Sequence, residues 1–150
     1  MTRTGLIKIA TLGSVLLLGG AFFFELLGYP PCKMCFWQRY AHATAIYIGA
    51  LAWVQPRFQR VLATLGALAA AVGSVLGFYH SGVEQKWWEG PTSCSGNGSL
   101  EGVDLLSTDL AIPVIMCDEI VWSLMGLSMA TYNGLISLIL AGIWVAAARK

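Results

Sequence analysis

The stretch VLATLGALAAAVGSVLGFYH, residues 61–80, decides the fold class of this chain. It contains no Asp, Glu, Lys or Arg. A hydrocarbon core about 30 Å thick is crossed by about 20 residues of α-helix, because a helix satisfies its own backbone hydrogen bonds in lipid. The stretch therefore predicts a membrane-spanning helix.

Three further stretches have the length and composition of spans, at about residues 6–27, 36–54 and 124–148. The least apolar is 36–54, which carries Arg39 and His42 in its first two turns. The whole chain has 57% hydrophobic residues, 11% charged residues and a mean hydropathy of +0.68, too apolar for an ordinary soluble domain. We predict an all-α fold, a four-helix transmembrane bundle forming a single domain over residues 1–150, with one long outer loop at about 81–121.

The charges fall on two sides of these spans. Six basic residues lie at the two termini and between the second and third spans: Arg3, Lys8, Arg57, Arg60, Arg149 and Lys150. All eight acidic residues lie in the other connections or at their edges: Glu25, Glu84, Glu89, Glu101, Asp104, Asp109, Asp118 and Glu119. The positive-inside rule therefore predicts cytoplasmic termini and places the cysteines outside.

Two other interpretations are disfavoured by the same residues. A cleavable signal peptide would need small residues where Phe22-Phe23-Phe24-Glu25 stand, so we expect the first helix to be retained. A net charge of +1 without a basic run argues against nucleic acid as a partner.

Cys32 and Cys35 form a Cys-x-x-Cys pair where the second helix should begin. The dipole and free N–H groups of a helix N-terminus lower a thiol pKa, which favours the reactive thiolate. Half a zinc site, haem attachment and a static disulfide are the alternatives. Haem attachment needs His where Phe36 stands, and zinc needs more ligands than two histidines readily supply, so we expect no metal.

Cys94 and Cys117 lie in the long outer segment. A bridge between them would close a loop of about 20 residues and could contribute about 3 kcal/mol, so a purely structural disulfide is a serious alternative. Beside a Cys-x-x-Cys pair, a second pair also allows a relay by thiol–disulfide exchange.

Three further residues are candidates for this chemistry. Arg39 lies one helical turn after Cys35, where it could stabilise a thiolate and donate hydrogen bonds to a carbonyl that gains charge on reduction, or extend to the headgroups. His80 ends the third span and could donate hydrogen bonds or protons, although a lone histidine there is often only interfacial. Trp122 belongs to a group of outer aromatic residues typical of a membrane interface.

The chain resembles the bacterial DsbB family of quinone-linked membrane thiol oxidases. The resemblance covers nearly the whole length and rests on five stretches: PCKMCFWQRY at 31–40, YHSGVE at 79–84, CDE at 117–119, Trp122, and GLSM at 126–129.

This resemblance implies a bacterial inner membrane protein that reoxidises a periplasmic thioredoxin-like dithiol oxidase of the DsbA type and reduces ubiquinone or menaquinone. It implies that Cys94 forms the mixed disulfide with the partner and that Cys117 is its mate in the periplasmic loop. Cys32 would receive the electrons and Cys35 would face the quinone. Arg39, His80 and Trp122 match positions near the quinone, and a surface helix is expected around 103–106 and 110–113.

Two rivals remain at this point. A vitamin-K-epoxide-reductase-like enzyme uses a similar bundle, but a pair at the start of the second span fits it poorly. A non-enzymatic membrane scaffold or transporter subunit, braced by two disulfides, would tolerate loss of Cys32 and Cys35.

Overall fold

The four apolar stretches fold as four long helices in the computed structural model of the chain, which describes residues 1–91, 94 and 116–150. The helices are α1 (Arg3–Leu26), α2 (Lys33–Val54), α3 (Gln59–Glu84) and α4 (Met129–Arg149). A 3₁₀ turn, Pro56–Phe58, joins α2 to α3, and two-residue strands β1 (Ser123–Leu124) and β2 (Leu127–Ser128) precede α4. The chain is mostly helical, with a small hairpin that the all-α prediction did not include.

Within the described part of the chain, three helical segments are long and apolar enough to cross a membrane: Arg3–Leu26, Pro56–Glu84 and Met129–Arg149. Large apolar side chains stay exposed on them, among them Leu16, Val75 and Ile139. Such side chains suit contact with lipid rather than water. The remaining helix, α2, is 22 residues long but less apolar, as its Arg39 and His42 indicated.

The fourth helix begins at Met129, five residues later than predicted. Met125 and Gly126 both have positive φ, 53° and 81°, which is the turn geometry that matches a tight antiparallel hairpin. Ser128 then caps α4, because its side chain accepts a hydrogen bond from the Thr131 N–H at 3.2 Å. Hydropathy alone could not separate this apolar hairpin from the helix.

The predicted outer loop starts later than expected because α3 continues to Glu84. Its other end, 116–122, has no helix in the structure. The surface helix expected around 103–106 and 110–113 lies outside the described residues, so that part of the loop stays a prediction.

Small residues allow the helices to approach closely. A Cβ atom at Gly77 of α3 would lie 2.6 Å from the Gly134 backbone nitrogen of α4, and one at Gly66 would meet the Trp144 ring. Ser74 also donates a hydrogen bond to the Gly134 carbonyl at 2.9 Å. Close packing of small residues is a common way to join helices in lipid, where apolar burial offers little drive.

A tight turn at the end of α1 sets the direction in which the chain continues to α2. Gly28, with φ of 94°, follows the helix, and the Tyr29 N–H donates to the Phe24 carbonyl at 3.1 Å while the Gly28 N–H donates to the Glu25 carbonyl at 3.0 Å. This is the Schellman arrangement, and the Phe24 and Tyr29 rings complete it with centroids 5.9 Å apart. The turn brings residue 32 to the N-terminus of α2 beside α1.

Candidate redox site

The Cys-x-x-Cys pair forms the N-terminus of α2. Cys32 is the N-cap, and its sulfur accepts a hydrogen bond from the Cys35 backbone N–H at 3.3 Å. Both cysteines are free thiols, and their sulfurs lie 3.0 Å apart in hydrogen-bonding contact. Cys32 is buried and Cys35 is half-buried. The helix N-terminus and the second thiol thus both face the Cys32 sulfur.

His80 of α3 is the second neighbour of this sulfur. Its Nε2 atom lies 3.5 Å from Cys32 Sγ, in a buried position. The hydrogen bond from the Cys35 thiol, followed by the contact with His80, outweighs the effect of burial and lowers the pKa of Cys32 from 9.0 to about 4. Cys32 is therefore a thiolate at neutral pH.

A disulfide between Cys94 and Cys117 lies against this pair. Both cysteines are buried, and they belong to one apolar cluster with Cys32, Met34 and Val83. The Cys117 N–H donates to the Cys94 carbonyl at 2.8 Å, and the Cys117 backbone also contacts the His80 ring. One dithiol and one disulfide are therefore packed in a single small region.

A chain of buried hydrogen bonds leads from His80 into the bundle. Gln38 Nε2 lies 2.8 Å from His80 Nδ1, and Asn133 Nδ2 donates to Gln38 Oε1 at 2.6 Å. His42 Nε2 lies 2.8 Å from Asn133 Oδ1. With the amide of Gln38 donating to Nδ1, the His80 proton sits on Nε2, facing the Cys32 sulfur.

Arg39 is only 9% exposed and is held by α1. It forms an ion pair with Glu25 at 2.6 Å and donates to the Ala21 carbonyl at 3.1 Å. The guanidinium also lies over the Phe22 and Phe36 rings, 4.7 and 5.4 Å from their centroids. Its Nε atom is buried and has no hydrogen-bond partner within the described part of the chain.

A cavity of about 320 Å³ joins these features. Cys32, Cys35, Arg39, His80 and Trp122 all line it. Most of the remaining wall is apolar and comes from α1, α4 and the segment before the hairpin, including Leu17, Phe24 and Ile136. Trp122 packs edge-on against Phe24, with centroids 5.1 Å apart. The cavity has the apolar lining and few polar groups typical of a small-molecule site.

The structure thus brings five predicted residues to one cavity and places the Cys94–Cys117 pair beside it. Four polar side chains of this region were not predicted as site residues: Gln38, Glu84 and Asn133 line the cavity, and Glu25 pairs with Arg39. Glu84 carried a usable signal, because it lies one turn after His80 on the same helix face. Gln38 and Asn133 are 95 residues apart, and no local pattern joins them.

The chain is similar to one known protein family over nearly its whole length. The family model described as "Disulfide bond formation protein DsbB" matches residues 3–147. The chain belongs to the DsbB family.

Curated DsbB relatives are moderately similar. Disulfide bond formation protein B 2 of Pseudomonas aeruginosa is 27% identical over 129 residues, covering 81% of this chain and 76% of the relative. Disulfide bond formation protein B of Verminephrobacter eiseniae is 29% identical over 143 residues, covering 88% and 78%. Protein-disulfide oxidoreductase DsbI of Salmonella typhimurium is 30% identical over 108 residues, covering 72% and 47%. No solved structure gives a significant match.

Proposed function

We propose that this DsbB-family protein is a quinone-dependent protein-dithiol oxidase that supports disulfide bond formation. It would reoxidise a periplasmic thioredoxin-like dithiol oxidase of the DsbA type and pass the electrons to ubiquinone or menaquinone. The observation that carries the proposal is the position of the Cys32–Cys35 dithiol, between the Cys94–Cys117 disulfide and a largely apolar cavity.

The proposed setting is the bacterial inner membrane, which α2 would cross together with the three more apolar helices. The charge distribution supports this topology, since six bases flank the helix ends opposite the cysteines. Both termini would then be cytoplasmic and the two cysteine pairs periplasmic. A partner of the DsbA type would reach the Cys94–Cys117 disulfide from that side.

The first proposed step is exchange with the partner. A partner thiolate attacks Cys94 Sγ, the Cys94–Cys117 bond breaks, and Cys117 leaves as a thiolate. The second partner thiolate then attacks the mixed disulfide, which releases the oxidised partner and leaves Cys94 and Cys117 reduced. Two electrons have moved from the partner to the loop pair.

The second proposed step moves these electrons to Cys32 and Cys35. The loop dithiol reduces the Cys32–Cys35 disulfide to a dithiol, and the loop disulfide forms again. The low pKa of Cys32 favours this direction, because stabilising a thiolate stabilises the reduced pair. His80, with its proton on Nε2, stabilises that thiolate.

The cavity residues fit a quinone as the acceptor. A quinone bound there would accept two electrons and take up two protons. Cys35 lines the cavity, and the buried Arg39 offers an Nε–H that has no partner among the described residues. Glu25 and the Phe22 ring hold the guanidinium, and Trp122 supplies part of the wall.

The test is quinone reduction by the purified protein in detergent. A reduced thioredoxin-like dithiol protein is the electron donor, and the absorbance of a soluble quinone analogue reports turnover. We expect turnover in the wild type and in Glu89→Gln, an exposed control position, and none in Cys35→Ser or Cys94→Ser. Absence of turnover in folded wild-type protein, or full turnover in Cys35→Ser, would contradict the proposal.

A further inference from the structure

The outer end of α3 places two potential metal ligands beside the dithiol. One sulfur each from Cys32 and Cys35 and one ring nitrogen of His80 lie within 4.8 Å of one another. Glu84, one turn after His80, places its Oε1 atom 3.9 Å from His80 Nε2. The electron relay uses the sulfurs and His80 but gives Glu84 no task.

The Glu84 carboxyl has an oxygen atom that no described residue satisfies. Its side chain is about 4% exposed, and it lines the same cavity. Its Oε2 atom is fully buried without a hydrogen-bond partner from any described residue. A buried carboxylate oxygen without a partner is costly, and a coordinated cation is one of the few ways to satisfy it.

We propose that Cys32, Cys35, His80 and Glu84 form a binding site for a thiophilic divalent cation such as Zn²⁺, available only while the cysteine pair is a dithiol. Binding of the cation needs the reduced pair and these two side chains, and it does not depend on quinone as the electron acceptor.

The distances are close to those of a tetrahedral zinc site. Zinc–sulfur bonds of about 2.3 Å and zinc–nitrogen bonds of about 2.0–2.1 Å separate a sulfur and a nitrogen ligand by about 3.5 Å. Cys32 Sγ and His80 Nε2 are 3.5 Å apart. Two sulfur ligands should be about 3.8 Å apart and a nitrogen and an oxygen about 3.4 Å, by the same bond lengths. The observed 3.0 and 3.9 Å differ by less than an ångström, within reach of side-chain rotation.

The neighbouring side chains can support these ligands. Metal-bound histidines usually have their second nitrogen hydrogen-bonded, and Gln38 occupies that position at His80 Nδ1. A half-turn of the Gln38 and Asn133 amides would present the Gln38 oxygen to Nδ1–H and leave Nε2 free for the metal. Ser128 hydrogen-bonds the Glu84 carboxylate.

The donor set selects the class of cation. Two thiolates and an imidazole suit Zn²⁺ and other soft or borderline ions, whereas Mg²⁺ and Ca²⁺ prefer oxygen ligands. Binding would displace the thiol protons without any electron transfer. Oxidation of the pair to a disulfide would remove two of four ligands, so a bound cation would hold the pair reduced and stop the relay.

The test is a Co²⁺ titration of the full-length protein in detergent, without oxygen, after selective reduction of the Cys32–Cys35 pair. Tetrahedral cobalt bound to thiolates gives visible d–d bands and a near-ultraviolet sulfur charge-transfer band. We expect both bands at one equivalent, displacement by Zn²⁺, and no bands when the pair is a disulfide. Absence of the bands in the reduced wild type would overturn the proposal.

Two variants test the ligands outside the cysteine pair. Glu84→Gln should weaken Co²⁺ binding at least tenfold, because removing even a residue that only hydrogen-bonds to a metal ligand typically costs roughly 10–100-fold in affinity. His80→Ala should weaken binding further. Glu89→Gln, an exposed glutamate beyond α3, should bind like the wild type. Unchanged affinity in Glu84→Gln would overturn the four-ligand site. If the reduced wild-type protein binds no cobalt but reduces quinone normally, only the metal site is rejected.

Discussion

The Nε2 atom of His80, near the end of α3, lies 3.5 Å from the sulfur of Cys32, at the start of α2. The two residues are 48 positions apart in sequence, and packing of the two helices brings them together. The contact ties the reactivity of the cysteine pair to the geometry of a neighbouring helix.

The pKa of Cys32 should depend first on Cys35 and then on His80. In metal-free wild-type protein with the pair reduced, we expect thiolate ultraviolet absorbance to titrate near pH 4 and to stay constant from about pH 6 to 8. His80→Ala should raise the pKa by about 1–2 units, since a hydrogen bond to a charged group contributes about 1.5–3 kcal/mol. Cys35→Ala should raise the pKa further, because the thiol of Cys35 is the larger cause.

Cys32→Ser supplies the baseline for this titration. A wild-type titration near the ordinary thiol value of 9.0 would contradict the assigned thiolate. Equal curves for the wild type and His80→Ala would show that the histidine does not act on the sulfur.

Gln38 should act as a positioning residue for His80. Gln38→Leu removes the partner of His80 Nδ1 and leaves Asn133 Nδ2 without its acceptor. We expect a loss of about 1–3 kcal/mol in stability, as for other unsatisfied buried polar groups, together with a raised pKa of Cys32. The measurements are thermal unfolding in detergent and the thiolate titration.

Ser137→Ala is the matched control for Gln38. Its hydroxyl lies 3.5 Å from His42 Nε2, at the far end of the same chain of hydrogen bonds. We expect the Cys32 titration to stay as in the wild type in that variant. A Gln38→Leu protein that loses stability while keeping the wild-type titration would have a structural role only.

The presence of each long helix follows from local sequence, but the residues at which it begins and ends do not. Continuous apolar stretches such as residues 61–80 predicted the helices, because length and hydropathy are local properties. The start of α4 and the end of α3 were not predicted correctly. Met125-Gly126 turns the chain within an apolar stretch, and α3 continues through Ser81–Glu84, where the sequence becomes polar.

The site residues that could be predicted from sequence are those that lie close together along one helix. Cys32, Cys35 and Arg39 lie on one stretch, and their proximity follows from one helix. The pairing of Arg39 with Glu25 and of Gln38 with Asn133 depends on how helices pack, which no single stretch encodes. His80 was recognised as a candidate, but its contact with Cys32 required the fold.

Glu25 should orient Arg39 at the cavity wall. The carboxylate lies 2.6 Å from the guanidinium, and its side chain is 41% exposed, so its contribution to stability should be about 1 kcal/mol or less. Glu25→Gln should leave the fold intact but raise the apparent KM for the quinone analogue several-fold, because Arg39 loses its charged anchor. Steady-state kinetics beside Glu89→Gln measures the effect. An unchanged KM would show that Phe22 and the Ala21 carbonyl suffice to hold Arg39.

The contact of Gly77 with Gly134 should be essential for the packing of α3 on α4. In Gly77→Ala the new methyl group would lie 2.6 Å from the Gly134 nitrogen and 2.7 Å from its Cα, and backbone cannot move aside as a flexible side chain can. The helices must separate, at a cost of about 1–3 kcal/mol typical of overpacking. Separation would also shift His80, one turn away on α3, relative to Cys32. We expect a lower thermal midpoint in detergent and a raised pKa of Cys32.

Gly142→Ala on α4 is the control, because a methyl group there meets nothing within 4 Å and should leave both values unchanged. Equal thermal midpoints for the two variants would mean that α3 and α4 do not pack through this glycine pair.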